Sequence, residues 1–341
     1  MTTIKDIARI SGFSIGTVSR VINHRSDVSP ATRKKIEAVI REQNFQPNRN
    51  ARSLKQIHHS PVMIFVKGTH NIFLDAILEE IQIQMHIHGE NTNVTFLGET
   101  DNAVAEAVQI SMYQKPKGCI FLGGSVLNFQ KDFSRIDVPS VLVTADASCL
   151  GFDGLSSYTT DDYSAAYEAV SYLIRQGHRE IGIIGGNPDS AHEGNVEKRI
   201  AGAAEAMRQN RIDFAEKERF EPCGFLMDDG YAAVLRLMER CPEITAVFAI
   251  SDLIAIGAMR ALQDKGYRVP EDISLIGFDG IPFAAYTNPR LATIHQNVPQ
   301  LAKKAVEDLL LRIKYQRAAA HETIPYRFET GESIASPARR S

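Results

Sequence analysis

Short apolar segments alternate with amphipathic helical segments through most of this chain, and this alternation constrains the fold more than any other feature. From residue 61 the strand-like segments PVMIFV, NVTFLG and GCIFLGG are separated by helical ones, and a further strand-like segment, PSVLVTA, follows. After a turn-rich stretch the alternation restarts with EIGIIGG, AVFAI and DISLIGF. Apolar strands alternating with helices are typical of parallel sheets covered on both faces. The restart predicts two such doubly wound units, and a ligand site in the cleft at the carboxyl ends of their strands.

The first 55 residues have a different pattern, that of a small all-α domain. Thr3 is placed to cap a first helix containing Ile4, Ile7, Ala8 and Ile10, and Gly12 to end it. Ser14 is placed to cap a second helix with a buried stripe of Ile15, Val18, Val21 and Ile22, and Ser29-Pro30 to open a third. Two helices joined by a short glycine-containing turn predict a helix-turn-helix unit.

Charge distinguishes this head from the rest of the chain. Residues 1–60 hold 11 lysines and arginines against four acidic residues, whereas the whole chain has a net charge of −3. A local basic surplus is expected where a protein contacts nucleic-acid phosphates. The alternative is a solvated three-helix domain whose basic residues only confer solubility.

Several strings in a fixed order give the chain a family resemblance. TIKDIARISGFSIGTVSRVIN and NARSLK in the head, and QGHREIGIIGG, EKRIAGAAEAM, AISDLIAIGAMRALQDKGYRVPEDISLIGFDG and NPRLATIHQN in the core, resemble the lactose-repressor (LacI/GalR) family of bacterial transcription regulators. The resemblance covers nearly the whole chain. It implies a regulator, expected to be a cytoplasmic repressor, whose affinity for operator DNA is controlled by a small-molecule effector.

The resemblance also implies a domain organisation. Residues 1–47 form the headpiece, 48–60 a hinge helix and linker, and 61–341 a periplasmic-binding-protein-like core for effector binding and dimerisation. The core chain is expected to cross between two subdomains near residues 159–162, 289–295 and 317–322. Subdomain N would hold about 61–160 plus 293–318, and subdomain C about 161–290 plus 320–341.

For the DNA-binding residues, the resemblance indicates two roles. Ile15, Gly16 and Arg20 fall at base-reading positions, where arginine is suited to guanine and isoleucine to a thymine methyl. Thr17, Ser19 and Asn23 are suited to phosphates. In the family the hinge helix enters the minor groove of a pseudopalindromic operator, which places Ala51 and Leu54 on DNA, with Leu54 as the wedge between base pairs.

For the effector, the resemblance indicates seven cleft residues. Arg199 and Asp279 are the charged contacts, and the others are Phe73, Thr144, Phe225, Ser251 and Gln296. Asp252, by contrast, is expected to be structural, as a helix cap. Thr144 departs from the family's usual aspartate, so the chemistry at that edge stays open. A sugar or sugar derivative is the expected effector, with a purine or nucleoside as the alternative.

Other functional classes lack their motifs. The glycines after the strands do not complete GxGxxG, and Walker, GxSxG and zinc-histidine patterns are not found, so we expect no enzyme activity, catalytic residue, metal or cofactor. The acidic pair Asp161 and Asp162 is expected to be a solvated loop pair, and the four cysteines small core residues. A periplasmic solute-binding protein would need a signal peptide and no DNA-binding head. No apolar run is long enough to span a membrane, and without a leucine-heptad tail a homodimer is expected.

Overall fold

A computed structural model describes residues 3–22, 28–43, 60–68, 71–98, 100–186, 194–214 and 216–337. The chain divides into two compact units, Met1–His59 and Ser60–Ser341. We call them the head and the core, and describe each by itself.

The head contains helices α1 (Ile4–Ser11), α2 (Ile15–Ile22) and α3 (Pro30–Glu42). Thr3 and Asp6 form a reciprocal capping box at α1, and Gly12 ends that helix at φ +72°. The Thr17 amide donates to Ser14 Oγ at the start of α2, and the Thr32 amide donates to Ser29 Oγ at the start of α3, both at 3.2 Å. These caps satisfy amides that lack a partner within the helix, which explains why the helices begin where the sequence predicts.

The core of the head is smaller than the helical periodicity predicts. Ile7, Ala8, Val18, Val21 and Ile36 are buried together. Ile15 is 43% exposed, so its assignment to the buried stripe of α2 was wrong, and Ile10 of α1 is 44% exposed. Ile15 therefore contributes apolar surface at the outer side of α2.

The first subdomain of the core is built on a six-stranded parallel sheet. Its strands, in spatial order, are β11 (His321–Ile324), β5 (Leu155–Thr160), β4 (Ser140–Val143), β3 (Gly118–Leu122), β1 (Val62–Lys67) and β2 (Thr92–Leu97). Its helices are α4 (Ile72–Ile87), α5 (Ala103–Gln114), α6 (Val126–Asp132) and α12 (Val298–Tyr315), with 3-10 turns at Phe133–Arg135 and Ser148–Leu150. Apolar clusters lie on both faces of this sheet.

The second subdomain repeats this plan. Its strands, in spatial order, are β12 (Arg327–Glu329), β10 (Ala292–His295), β9 (Ser274–Asp279), β8 (Ala246–Ala249), β6 (Ile181–Ile184) and β7 (Phe220–Glu221). Only β12 among these runs antiparallel to its neighbour. Its helices are α7 (Asp162–Arg175), α8 (Gly194–Gln209), α9 (Glu216–Arg219), α10 (Met227–Arg240) and α11 (Asp252–Asp264), with a 3-10 turn at Pro282–Tyr286. The predicted pair of doubly wound units is confirmed.

The chain passes between the two sheets three times, and two of the crossings lie later than expected. The first falls between β5 and α7, at residue 161, as predicted. Strand β10 belongs to the second sheet, so the second crossing is at 296–297 rather than 289–295. Strand β11 belongs to the first, so the third is at 325–326 rather than 317–322. The first subdomain therefore includes residues 298–324 rather than the expected 293–318. The last segment of the second subdomain begins near residue 327 rather than at 320.

Two helix pairs of the second subdomain pack closely at glycines. A Cβ at Gly202 of α8 would lie 2.1 Å from the carbonyl oxygen of Tyr163 in α7. A Cβ at Gly257 of α11 would lie 1.8 Å from the carbonyl oxygen of Met227 in α10. Since the obstacles are backbone atoms, these helices reach their spacing only because both positions lack a side chain.

Candidate effector site and DNA-contacting surface

Helix α8 places Arg199 among polar groups from three other elements of the second subdomain. Its Nε donates to Asp162 Oδ1 at 2.7 Å, and its Nη1 donates to the Ile250 carbonyl at 2.6 Å and to Asp279 Oδ1 at 3.3 Å. The guanidinium carbon lies 3.7 Å from the centroid of the Phe278 ring. The side chain is 8% exposed. Arg199 is thus held in one orientation by a helix start, a strand end and an aromatic face.

Asp279 and Gln296 extend this cluster to the first subdomain. Asp279 ends β9 with φ +113°, a backbone conformation that residues other than glycine rarely adopt. Its Oδ1 also accepts from Gln296 Nε2 at 2.9 Å, and Gln296 Oε1 accepts from the hydroxyl of Thr160, the last residue of β5, at 2.6 Å. A continuous hydrogen-bond chain therefore runs from Arg199 to the carboxyl end of the first sheet.

The electrostatics of this cluster are dominated by burial. Burial raises the pKa of Asp279 to about 6, although Arg199 and the hydrogen bond from Gln296 lower it. Burial also raises the pKa of Asp162, against the effect of Arg199. One guanidinium thus lies between two desolvated carboxyl groups, and at neutral pH the cluster has no surplus of positive charge.

Thr144 lies just after β4, at the carboxyl end of the first sheet. It is 6% exposed, with φ +81°. Its carbonyl accepts hydrogen bonds from Thr159 Oγ1 at 2.9 Å and from Asn195 Nδ2 of α8. One turn further along α8, Lys198 lies 3.7 Å from Asp146. These contacts join α8 to the first subdomain. Thr144 stands at the position of the family's usual aspartate, and the nearest acidic residue, Asp146, lies two positions later and pairs with Lys198.

The remaining predicted effector residues, Phe73, Phe225 and Ser251, are engaged in packing or in capping a helix. Phe73 is 6% exposed and belongs to an apolar cluster of the first subdomain. Phe225 is half-buried against the core of the second. Ser251 is buried and caps α11, where its Oγ accepts from the Ile254 amide at 3.4 Å. The hydrogen bonds bring Arg199, Asp279 and Gln296 directly together, and no bond of the described residues joins these three others to them.

Sequence reasoning missed two polar partners of Arg199 and Gln296. Asp162 is 2% exposed and bonded to Arg199, so its assignment to a solvated loop pair was wrong. Only its neighbour Asp161 is at the surface, where it caps α7. The reason is non-local, because α7 packs against α8 and brings the guanidinium over the first residue of α7. Thr160 carried no motif that pointed to Gln296.

On the head, the outer side of α2 carries the predicted DNA-reading side chains. Ile15, Gly16 and Arg20 are exposed, and Thr17 and Ser19 are half-buried. Thr17 Oγ1 lies 2.9 Å from Ser14 Oγ. Asn23, Ala51 and Leu54, with the hinge segment 48–59, lie outside the described residues.

Metal-binding groups and membrane-spanning helices are not found in the described part of the chain. It contains no group of three histidine, cysteine, aspartate or glutamate side chains placed to hold a metal. No helix there is long and apolar enough to cross a bilayer. Of the cysteines, Cys119, Cys223 and Cys241 are buried, whereas Cys149 is exposed and departs from the expectation of a core residue.

The chain combines a helix-turn-helix head with a core of two subdomains, and a polar cluster lies between those subdomains. This combination defines the class of DNA-binding regulators that respond to small ligands. The profile of the lacI family of bacterial regulatory proteins matches residues 3–48, and that of the periplasmic binding protein-like domain matches residues 170–334.

Known proteins agree with these profiles. The HTH-type transcriptional regulator MalR of Clostridium butyricum is 36% identical over 89% of this chain and 90% of its own length. The ribose operon repressor of Haemophilus influenzae is 32% identical over 92% of each. A solved LacI family transcriptional regulator from Enterococcus faecium, with bound ribose, is 25% identical with a TM-score of 0.69, and the match covers 80% of this chain and 99% of that one. The chain belongs to the LacI family of bacterial transcription regulators.

Proposed function

We propose that this protein is a homodimeric repressor of a pseudopalindromic operator. Its affinity for the operator changes when an effector binds at the Arg199–Asp279–Gln296 site. The family consists of transcription regulators rather than enzymes, which supports a binding role for the polar cluster. It also supports a cytoplasmic location, where the bacterial DNA lies. The observation that carries the proposal is the hydrogen-bond chain from Arg199 through Asp279 and Gln296 to Thr160. It links the two subdomains at the point where a ligand would bridge them.

The unused polar atoms of this cluster suit a hydroxyl-rich ligand. The hydrogen bonds of Arg199 to described residues use Nε and Nη1, and those of Asp279 use Oδ1 for both donors. We assign Arg199 Nη2 as a donor, and Asp279 Oδ2 as an acceptor, to neighbouring hydroxyls of the effector. A donor beside an acceptor matches a pair of hydroxyls, each of which both donates and accepts.

Charge favours a neutral sugar over a sugar phosphate. Asp162 and Asp279 already neutralise Arg199, and an added anion would meet two desolvated carboxylates within the same cluster. Phe73 is buried in an apolar cluster, so it presents no open face on which a purine would stack. The ribose bound to the Enterococcus faecium relative supports the same class.

The DNA-binding part of the proposal rests on the head. Ile15, Gly16 and Arg20 would read base edges from the major groove, while Thr17, Ser19 and Asn23 would hold phosphates. Two heads of a dimer would bind half-sites about one helical turn apart. Ala51 and Leu54 would contact the minor groove, where Leu54 would kink the operator centre. Effector binding would change operator affinity through the spacing of the paired hinges.

The effector assignment is tested by thermal shift on the full-length protein. Matched pairs of ligands, such as ribose with ribose 5-phosphate and glucose with glucose 6-phosphate, are compared with nucleosides and with disaccharides. A ligand at 100 times its dissociation constant adds about 2.7 kcal/mol to stability. We expect a neutral sugar to raise the melting temperature of wild type and to lose this effect in Asp279→Asn. A response to nucleosides or phosphorylated sugars alone would refute the assignment.

A further inference from the structure

We propose that Asp252 is a positioning residue that fixes the turn after β9, and thereby joins the effector-binding carboxylate Asp279 to the contact between the two subdomains. The assignment of Asp279 to effector rests on the proposed function. The positioning of the turn by Asp252 rests on the geometry alone.

Asp252 is fully buried, and its carboxylate accepts hydrogen bonds from two other segments of the second subdomain. Its Oδ2 accepts from the Ile281 amide at 2.8 Å, and its Oδ1 accepts from the hydroxyl of Thr293 in β10 at 2.6 Å. Glycine at position 277 makes room for this carboxylate, because a Cβ there would lie 2.2 Å from Asp252 Oδ1. The side chain thus ties the start of α11 to the turn and to the next strand.

Helix capping does not account for this arrangement, contrary to the prediction from sequence. Ser251 is the N-cap of α11, and its hydroxyl accepts the Ile254 amide. Asp252 is the first residue inside the helix. Burial raises the pKa of Asp252 well above its usual value, and Asp279 raises it further. Burying a carboxyl group that caps no helix costs free energy, and the hydrogen bonds from its two donors, Ile281 and Thr293, offset this cost.

The turn that Asp252 holds has an unusual backbone. Asp279 has φ +113° and Gly280 has φ +73°. A Cβ at position 280 would lie 2.5 Å from the Cα of His295, so the turn is also pressed against β10. Left-handed conformations at a residue other than glycine persist only where the surroundings fix them. The hydrogen bond from the Ile281 amide to Asp252 fixes the chain two residues after Asp279 and is part of these surroundings.

The same turn reaches into the first subdomain. Ile281 is 4% exposed and Leu253 is 7% exposed, and both belong to the apolar cluster formed by α4, α12 and the first sheet. One is the amide partner of Asp252, and the other is its neighbour in the chain. A shift of Asp279 on ligand binding therefore has a short covalent path, through residues 280 and 281, to the packing between the subdomains.

The test is hydrogen–deuterium exchange of the full-length protein without ligand or DNA, in wild type and in Asp252→Ala, Asp252→Asn and Thr293→Val. The control is Ser274→Ala. Ser274 begins β9, is fully buried, and bonds at 3.0 Å to His178 and at 3.1 Å to the Ala335 carbonyl. The control thus removes a buried hydrogen-bonding group at the opposite end of the strand that Asp279 ends.

We expect Asp252→Ala to speed exchange about tenfold at residues 279–282 and also in the first subdomain, at residues 73–81 of α4. Asp252→Asn keeps an acceptor for the Ile281 amide and should recover part of the protection. Thr293→Val, which removes one donor, should give a smaller change in the same segments and keeps the test open if Asp252→Ala does not fold. Ser274→Ala should leave α4 unchanged.

Exchange confined to the second subdomain in all four variants would overturn the proposal, because Asp252 would then stabilise only its own subdomain. Equal changes in α4 for Ser274→Ala and the Asp252 variants would overturn it as well. Since no effector is present, neither result depends on the effector assignment.

Discussion

Replacing Arg199 with methionine removes the cation from between Asp162 and Asp279 while keeping a side chain of similar length. Loss of one partner from a buried ion pair costs about 3–5 kcal/mol, because the other charge stays buried without compensation. We expect a loss of this size in the free energy of unfolding of Arg199→Met, measured by urea denaturation at pH 8. The hydrogen bond to the Ile250 carbonyl and the stacking on Phe278 are lost with it.

The loss should depend on pH, and its direction follows from the two carboxyl groups. Arg199 is the strongest influence that lowers the pKa of Asp279 and of Asp162, so both values rise further in the variant. Between the unfolded-state and folded-state pKa values, a folded protein with a raised carboxyl pKa binds a proton that the unfolded chain does not. The free energy of unfolding is therefore higher at low pH and falls as the pH rises through the folded-state pKa. The deficit of Arg199→Met should therefore be smaller at pH 5.5 than at pH 8.

Arg208→Met is the matched control, since Arg208 lies on the same helix and pairs with Glu205 at 2.6 Å, with its side chain 73% exposed. We expect little change in stability for this surface pair. The reasoning is refuted if the two variants lose equal stability, or if the deficit of Arg199→Met does not change between pH 5.5 and pH 8.

Three further predictions concern other parts of the molecule. Arg20→Ala should cost about 1–3 kcal/mol of specific binding and relax one base preference per half-site in a binding-site selection, whereas Lys5→Ala should weaken all sequences alike. Gly257→Ala should lower the free energy of unfolding by about 1–3 kcal/mol through overpacking, while Gly194→Ala, whose Cβ would meet its nearest neighbour at 3.8 Å, should change it little. Because the pKa of Asp279 is raised to about 6, sugar affinity measured by calorimetry should fall as the pH drops from 7.5 to 5.5, and unchanged affinity would remove its carboxylate from the site.

The architecture of the core was predictable because its central strands carry strong patterns. Segments such as VMIFV and GCIFL are buried on both faces, and so they appear in the sequence as continuous apolar runs. Strands β10 and β11 have four residues each, and three of the four residues of β11 are exposed. The crossing points came from the family resemblance, and strands as short as β10 and β11 have no distinct periodicity that could have corrected them.

The candidate site was predictable only where the family resemblance named its residues. Arg199, Asp279 and Gln296 came from matching strings, and the structure joins them by hydrogen bonds. The burial of Asp162 and the role of Asp252 depend on contacts between segments distant in sequence, which local patterns do not encode. In the head, periodicity correctly gave Ile7 and Val18 as buried, but it could not tell that Ile15 faces outward.

The central claim is that occupancy of the cleft site controls operator affinity. Its most direct test is operator binding by the full-length protein, measured by fluorescence anisotropy at fixed salt, with and without a neutral sugar that raises its melting temperature. We predict at least about a tenfold change in the dissociation constant, equivalent to about 1.4 kcal/mol of coupling, for wild type and none for Asp279→Asn. A sugar that binds and stabilises the protein but leaves operator affinity unchanged would contradict the account.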